Sequence, residues 1–286
     1  MKKSGDKRQR LFIVTILIVG LLILFYPMYS NYINQRIALK TIEKYDSVVS
    51  NKTKKERNRA LEKAYSYNRK LINEKVPDSF AKRMGIKHDK RYEGILNIVN
   101  NGMMGVIEIP SIKVKLPVYH YTTEKILEKG AGHLFGSSLP VGGKSTHAVI
   151  TAHRGLPGAK MFTDLDQLRK GDEFFVHVVG VKLAYKIDRV KTVKPDETAG
   201  MGIEKGRDYI TLVTCTPYGK NTHRLLVRGH RVPYESGDEN KQIPRRKIPW
   251  MHVFFGFIGI LMSVLCCTAV IIFQRKKLGK VCNKRG

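Results

Sequence analysis

Two long runs of uncharged, mostly apolar residues constrain this chain more than any other feature of its sequence. The first run, at 11–35, contains no charged side chain, and the second, at 248–274, contains none apart from one histidine counted as neutral. Each run exceeds the ~18 residues above which an apolar segment is read as a transmembrane helix. The sequence therefore predicts two membrane-spanning helices, at 11–29 and 250–273, and argues against a soluble cytosolic protein.

The charges that flank the two apolar runs predict the orientation of the chain. Residues 1–10 carry five Lys or Arg against one Asp, and residues 274–286 carry six with no acid. By the positive-inside rule, both ends lie in the cytoplasm and residues 31–247 lie outside. The first run could instead be a cleaved signal peptide, but residues 25–29 offer no small-residue cleavage site and their tyrosines suit a membrane interface. We expect an uncleaved anchor.

The overall charge of the chain is strongly positive. There are 52 Lys and Arg against 24 Asp and Glu, which gives a net charge of +28. Such a balance often indicates a nucleic-acid partner, but a domain outside the membrane does not meet nucleic acid, so none is expected. Acidic cell-wall polymers or anionic lipid headgroups would account for the charge equally well, as would a merely solvated basic surface.

The positions of the four cysteines single out one of them. Cys266 and Cys267 lie inside the second apolar run and Cys282 in the predicted cytoplasmic tail, so Cys215 alone faces outward. A lone cysteine cannot form an intrachain disulfide. Two interpretations remain open from this count: a small buried hydrophobe, which is common for free cysteine, or a catalytic nucleophile.

The external region divides into a helical part and a part rich in short strands. Apolar spacing predicts amphipathic helices over 33–50 and 54–73, with Thr53 among the candidate caps between them. From Gly105 onward, short β-type runs are separated by Gly, Pro and Asp, which is typical of a β-barrel or sandwich. The predicted strands are Gly105–Ile109, Lys113–Val118, His147–Ala152, Glu173–Val179, Val181–Val193, Tyr209–Cys215 and Thr222–Val227. The segments Gly130–Phe135 and Lys160–Leu168 are interpreted as short helices or turns.

The cysteine stands at the end of a predicted strand, and a second strand follows after a Pro/Gly turn. If the two strands pair antiparallel, Arg224 at the start of the second lies beside Cys215 at the end of the first. Arg228 points to the same face but sits four residues further along, ~13 Å away at ~3.3 Å per residue. This spacing selects Arg224 over Arg228 as the neighbour of the thiol.

A histidine partner for the thiol has to come from another part of the chain. No two of the nine histidines have the helical spacing of a metal site and no cysteine pair accompanies them, so we expect neither a zinc site nor a cofactor. His153 differs from the others because it ends a predicted strand and opens into Arg154-Gly155. Its position at a strand end is like that of Cys215.

The segment TLVTCTPYGKNTHR, from Thr211 to Arg224, strongly resembles the active-site segment of sortases, the membrane-anchored cysteine transpeptidases of Gram-positive bacteria. It is most similar to class C, the pilin-polymerising sortases. A second transmembrane span after the catalytic domain also fits that class. The resemblance covers roughly residues 26 to 231, and the other stretches that carry it are 26–32, Gly105–Pro110, Gly130–Gly143 and His147–Gly155.

The resemblance implies a fold, a reaction and three catalytic residues. The implied fold is mostly β, a closed eight-stranded sortase-type barrel with N-terminal helices and two flanking transmembrane helices. By position Cys215 matches the family nucleophile, His153 the catalytic histidine and Arg224 the catalytic arginine. The implied reaction cleaves an LPXTG-like sorting motif between Thr and Gly through a thioacyl-enzyme, and a pilin lysine amine then takes the acyl group.

Class C sortases commonly carry an Asp-Pro-aromatic lid ahead of the barrel, and this chain has Asp78-Ser79-Phe80 at about that place. The resemblance implies that Phe80 covers Cys215 while Asp78 pairs with Arg224. The proline that would stiffen the loop is missing, and the alternative is a plain linker turn. A smaller departure is Ala152, where the family usually has glycine before the histidine.

The predicted function is a two-pass cell-membrane sortase that assembles pili, with its catalytic domain outside the cytoplasm. Its alternatives are a housekeeping-type sortase that anchors proteins to peptidoglycan and a non-catalytic basic membrane scaffold that binds wall polymers. The predicted segments are a cytoplasmic N-terminus at 1–10, a transmembrane helix at 11–29, a helical region with the lid at 31–104, the catalytic barrel at 105–235, a linker at 236–249, a transmembrane helix at 250–273 and a cytoplasmic tail at 274–286.

Overall fold

The computed structural model of this chain describes residues 3–71, 88–195, 197, 200–238, 256, 258 and 259. The predicted lid residues Asp78 and Phe80, the predicted tail at 274–286 and nearly all of the predicted span at 250–273 lie outside the described residues. Residues Phe25–Arg245 belong to one compact unit, which carries the barrel.

Helix α1 (Lys3–Ser50) is a single helix of 48 residues. Its most apolar window has a mean hydropathy of 1.8 and none of that window is buried. Within the described part of the chain, α1 is the one helix long and apolar enough to cross a membrane. The predicted helix over 33–50 is therefore the C-terminal part of α1 and not a separate element.

Helix α2 (Lys54–Leu71) begins at the cap that the sequence suggested. The Thr53 amide donates to Glu56 Oε2 at 2.8 Å, and the Glu56 amide donates to Thr53 Oγ1 at 3.2 Å. This reciprocal pair is a capping box, which satisfies two backbone donors that the helix start would otherwise leave unpaired. The hydrogen bond from the Thr53 amide is the main reason that the pKa of Glu56 is lowered to about 2.

Two buried polar side chains attach the helices to the rest of the compact unit. Tyr45 of α1 donates its hydroxyl to Met104 O at 3.1 Å and accepts from the Val179 amide at 3.0 Å. Asn68 of α2 makes a two-way amide contact with the Leu139 backbone, donating at 3.0 Å and accepting at 2.7 Å. Because buried backbone groups need partners, these contacts fix where the helices sit as well as adding to stability.

Eight strands close into a barrel in the order β1-β2-β3-β4-β7-β8-β6-β5, which confirms the predicted fold class. Their bounds are β1 Met103–Ile109, β2 Val114–His120, β3 Ala131–His133, β4 Thr146–Thr151, β5 Glu173–Val178, β6 Val181–Val193, β7 Asp208–Thr216 and β8 His223–Val232. Short helices α3 (Lys90–Glu93) and α4 (Glu124–Leu127) lie between these elements, as do 3₁₀ turns at Pro110–Ile112 and Leu165–Gln167.

One segment was predicted wrongly. Gly130–Phe135 is not simply a helix or turn, because its residues 131–133 form β3, which pairs parallel with β2 and antiparallel with β4. Three residues are too few to show the alternation that identifies a strand in a sequence. The strand is therefore defined by its two neighbours in the closed sheet.

The barrel interior is apolar, but two fully or nearly fully buried histidines lie within the fold. His147 Nδ1 donates to Gly202 O at 2.9 Å, which leaves Nε2 to accept from Thr211 Oγ1 at 2.7 Å. His133 is held by Tyr92 and by Ser138 O in a similar way. Burial disfavours the charged imidazolium, and it lowers the pKa of each of these two histidines to about 4.

These buried imidazoles predict a loss of stability in mild acid. The pKa of His147 is lower in the folded than in the unfolded chain, from 6.5 to about 4, so the unfolded chain binds more protons between those values. The stabilisation is full above pH 6.5 and declines as the pH falls toward 4. We expect each such histidine to remove about 2 kcal/mol of unfolding free energy between pH 7 and pH 5.

Chemical unfolding of the full chain in detergent micelles at pH 7, 6 and 5 measures this effect. His147→Gln keeps an amide able to bond Gly202 and should give a shallower pH dependence than the wild type. The control is His230→Gln, since His230 is only half-buried. A slope that is unchanged in His147→Gln would contradict the explanation.

Candidate active site

Cys215 lies next to the last residue of β7, where the buried part of that strand ends. Residues 209–214 before it are buried, whereas Cys215 is half-buried and carries a free thiol. The strand therefore anchors the thiol rigidly while leaving it within reach of a substrate.

Arg224 lies directly across from the thiol. Strands β7 and β8 pair antiparallel with Cys215 opposite Arg224, which confirms the hairpin predicted from the sequence. The guanidinium Nη1 donates to the backbone oxygens of Asn221 and His223, at 3.2 and 3.1 Å. These bonds hold the cation over the turn that joins the two strands.

Arg228 belongs to a different part of the barrel, four residues further along β8, where it pairs with Thr211. Its guanidinium makes a bidentate contact with Asp188 at 3.0 and 2.9 Å and reaches Glu204 at 3.0 Å. It also stacks on the Tyr209 ring, 4.0 Å from the ring centre. The side chain is only 9% exposed and its donors are occupied by these carboxylates, so Arg228 stabilises the barrel wall.

His153 follows β4 at the same level as Cys215. Strands β4 and β7 run parallel, and Thr151 pairs with Val213. His153 lies two residues after Thr151 and Cys215 two residues after Val213, so the same alignment places His153 beside Cys215. Contacts beyond the paired residues keep this alignment, since Ala152 donates its amide to Val213 O at 3.2 Å and accepts from Thr214 Oγ1 at 2.8 Å. The three strand ends β4, β7 and β8 therefore bring the predicted histidine, cysteine and arginine to one edge of the barrel.

A carboxylate that the sequence did not indicate lies beside the histidine. Glu124, the first residue of α4, has Oε1 3.0 Å from His153 Nε2. The separation is that of an ion pair with a protonated imidazole, although the angles are not those of a directed hydrogen bond. Glu124 belongs to the connection between β2 and β3, and only the folded chain brings it to His153. The sequence therefore gives no signal for this contact.

Arg154 connects the histidine loop to the cysteine strand, and it too was missed. Its Nη1 donates to Thr216 Oγ1 at 2.9 Å and its Nη2 to Asp166 Oδ2 at 2.8 Å, with the side chain only 8% exposed. Because Arg154 adjoins His153 and Thr216 adjoins Cys215, this contact ties the two segments together. The one feature of the sequence that pointed to Arg154 is its position directly after His153.

Gly155 has a conformational reason for being glycine. Its φ is +75°, a region that residues with a side chain rarely adopt, and an added Cβ would lie 2.8 Å from the Tyr218 ring. The ring of Tyr218, three residues after Cys215, thus covers the backbone two residues after His153.

Among the described residues, no group of three or more His, Cys, Asp and Glu side chains is arranged to hold a metal ion. Asp78 and Phe80 lie outside the described residues, so their relation to Cys215 and Arg224 stays a prediction.

Comparison with known proteins identifies the family. A family model described as "Sortase domain" matches residues 107–232. The crystal structure of Streptococcus pneumoniae Sortase C is 44% identical, with a TM-score of 0.64 over 69% of this chain and 98% of that chain. Sortase C1 from Streptococcus agalactiae is also 44% identical, with a TM-score of 0.64 over 68% and 100% of the two chains. The chain belongs to the sortase family.

Curated relatives match over a shorter stretch. Sortase A of Bacillus anthracis is 32% identical over 130 residues, which is 46% of this chain and 60% of that protein. Sortase D of Bacillus subtilis is 30% identical over 131 residues, 45% of this chain and 63% of that protein. The chain thus matches less than two thirds of the length of these two relatives, whereas it covers nearly all of the two solved Sortase C chains.

The different surroundings of the two arginines predict different effects on stability. Arg228→Gln should lower the free energy of unfolding by about 2–3 kcal/mol, because it removes charged hydrogen bonds from a nearly buried group and leaves Asp188 unpaired. The matched control is Arg224→Gln, which changes a half-buried residue at the start of the same strand and should cost clearly less. Urea unfolding of both variants measures the difference, and equal losses would contradict the assignment of Arg228 to the barrel wall.

Proposed function

We propose that this chain is a membrane-anchored cysteine transpeptidase in which Cys215 is the nucleophile, His153 the general acid and base, and Arg224 the oxyanion and substrate contact. The observation that carries the proposal is the pairing of Cys215 with Arg224 on β7 and β8, with His153 at the same level on the parallel neighbour β4. Three residue types that acyl transfer requires thus converge on one edge of the barrel.

In the first half of the reaction, the Cys215 thiolate attacks the Thr carbonyl of an LPXTG-like motif. Imidazolium and guanidinium groups near a thiol favour the thiolate, which is the reactive form. As the tetrahedral intermediate collapses, the Thr–Gly bond breaks, His153 gives its proton to the departing glycine amine, and a thioester remains on Sγ. Arg224 offers fixed donors to the negative charge that develops on the carbonyl oxygen.

In the second half, an amine attacks the thioester carbonyl. His153 takes a proton from that amine, the C–S bond breaks, and the new amide leaves Cys215 as the thiolate again. Water competes with the amine for the thioester, so exclusion of water favours transfer over hydrolysis. Glu124, beside His153 Nε2, is placed to stabilise the imidazolium whenever the histidine holds the proton.

The acceptor amine in this proposal is a pilin lysine, which makes the enzyme a pilus-assembling sortase of class C. The support is the similarity to solved Sortase C chains at 44% identity over nearly their full length, one of which is described in terms of pilin substrate specificity. The apolar N-terminal part of α1 supports anchoring in the cell membrane. The basic flanks of both apolar runs support two spans, with the catalytic barrel outside the cytoplasm.

The thioester is the most direct test of this function. Incubation of the full chain with an LPXTG-like peptide should give a covalent adduct at Cys215, located by mass spectrometry of protease fragments. Cys215→Ala should give none. An adduct that persists in Cys215→Ala would overturn the assignment of the nucleophile.

The same assay separates the two arginines and the two acceptors. Arg224→Lys should lose most of the rate, because an ammonium cannot offer two directed donors, whereas Arg228→Lys should be much milder when the variant is folded. Release of the adduct by a pilin lysine peptide, and not by a peptidoglycan stem-peptide amine, is the result expected of a pilus-assembling enzyme. The reverse preference would favour the housekeeping alternative.

We also propose that Asp78 and Phe80 form a weak lid over the site. An exposed Asp–Arg pair contributes only ~0–1 kcal/mol, and the missing proline leaves the loop less preorganised. Asp78→Ala/Phe80→Ala should therefore speed the labelling of Cys215 by a bulky thiol reagent by about tenfold to a hundredfold at most. Labelling at the wild-type rate would mean that this segment is a plain linker.

A further inference from the structure

The loop that follows His153, residues 154–164, contains no helix or strand and has an unusual backbone. Three of its residues have a positive φ: Gly155 at +75°, Gly158 at +82° and Met161 at +41°. Residues with a side chain rarely adopt such angles, and they keep them only where the surrounding structure imposes them. The loop therefore depends on contacts with other segments for its conformation.

Two asparagines of α1 supply contacts of this kind. Asn34 Nδ2 donates to Gly158 O at 2.8 Å, and Asn31 Oδ1 accepts from the Lys160 amide at 3.0 Å. Because the two asparagines are three residues apart, they lie on the same face of the helix. Asn31 also belongs to the stretch at 26–32, which carries part of the resemblance to sortases and has no role in the proposed mechanism.

The backbone group that each asparagine meets determines the direction of the hydrogen bond. Gly158 presents a carbonyl oxygen, which can only accept, so the side-chain nitrogen of Asn34 has to donate. Lys160 presents an N–H group, which can only donate, so the side-chain oxygen of Asn31 has to accept. One asparagine is therefore needed as a donor and the other as an acceptor.

The loop and the helix also approach each other closely. An added Cβ at Gly158 would clash with Ser30 of α1, so a larger residue at 158 would push the two segments apart. On its other side the loop is held by Lys160, whose Nζ donates to Ile112 O and lies 3.2 Å from Asp164 Oδ2. The segment at 158–160 is thus fixed between α1 and the barrel.

The same loop holds the backbone of the histidine. The Phe162 amide donates to His153 O at 3.0 Å, and the Gly155 amide donates to Thr163 Oγ1 at 3.2 Å. These bonds fix the chain on the C-terminal side of His153, while β4 fixes it on the N-terminal side. Since Phe162 follows Lys160 by two residues, a shift of 158–160 also moves the group that holds His153 O.

We propose that Asn31 and Asn34 are positioning residues for His153. They hold the loop at 158–160 and thereby keep the imidazole at the level of Cys215. The inference rests on the proposed function, in which His153 has to come within hydrogen-bond reach of the departing amine. Because a displacement of ~1 Å can lower a rate by about a hundredfold, loosening of this loop slows the chemical step and leaves binding of the sorting motif largely unchanged.

Aspartate substitutions test the two hydrogen bonds separately. Asn34→Asp keeps the shape of the side chain but places a carboxylate oxygen against Gly158 O, so the rate of thioester formation at saturating LPXTG-like peptide should fall about tenfold, or about 1.4 kcal/mol. The KM for the peptide should stay nearly the same. Asn31→Asp keeps an acceptor for the Lys160 amide, so its loss should be at most about twofold.

The matched control for charge is Asn58→Asp, which makes the same substitution at an exposed position of α2 and should react like the wild type. A second variant of the donor, Asn34→Ala, removes the hydrogen bond without adding a charge. Alanine is a better helix former than asparagine, so a lower rate in this variant does not come from a weaker helix. Its rate should fall in the same direction as that of Asn34→Asp.

Amide hydrogen exchange of the full chain in detergent micelles reports on the loop without any reaction. Asn34→Asp should speed exchange at 158–162, including the Phe162 amide, while exchange in β7 stays at the wild-type rate and shows that the barrel is folded. Asn31→Asp and Asn58→Asp should leave exchange at 158–162 close to that of the wild type.

Equal rates of thioester formation in Asn34→Asp and Asn31→Asp would overturn the proposal, as would unchanged exchange at 158–162 in Asn34→Asp. A higher KM at an unchanged saturating rate would overturn it too, because the asparagines would then act on binding of the peptide. A wild type that formed no thioester would instead overturn the proposed function, and the exchange rates would still decide whether Asn34 holds the loop.

Discussion

The register of β7 against its two neighbours is the constraint on which the catalytic arrangement depends. β7 pairs parallel with β4 and antiparallel with β8, and these two pairings set the positions of His153 and Arg224 relative to Cys215. Since side chains alternate across a strand, a slip of one residue would turn the thiol to the other face. Barrel closure removes that freedom, because every strand is paired on both sides.

The polar contacts around this edge reinforce the register. Arg154 reaches across from the histidine loop to Thr216, and Arg228 fixes the wall further along β8 through Asp188 and Glu204. The two arginines of β8 have different hydrogen-bond partners. Arg228 donates to carboxylates, whereas Arg224 donates to backbone oxygens at the hairpin turn.

Hydrogen bonds join the N-terminal helices α1 and α2 to the barrel. Tyr45 and Asn68 fix α1 and α2 through buried hydrogen bonds to the backbone, and the contact of Asn34 with Gly158 joins α1 to the loop that follows His153. The helix that carries the apolar run therefore also supports one side of the catalytic edge.

Local sequence alone determined much of the fold and part of the candidate active site. The apolar run of α1, the Thr53 cap, most of the strands and the opposition of Cys215 and Arg224 follow from hydropathy, residue type and a hairpin of short span. Such features depend on residues that are close in the chain, so they can be predicted from the sequence.

Tertiary structure decided the contacts between distant segments. The three-residue strand β3, the approach of Glu124 to His153, the bridge from Arg154 to Thr216 and the use of Arg228 in the barrel wall leave no periodic or spacing signal. The match to known sortases identified His153 in the sequence, but its level beside Cys215 is fixed by the parallel pairing of β4 and β7, which are separated by more than fifty residues. Parallel strands cannot be joined by a tight turn, so only the closed barrel could set that register.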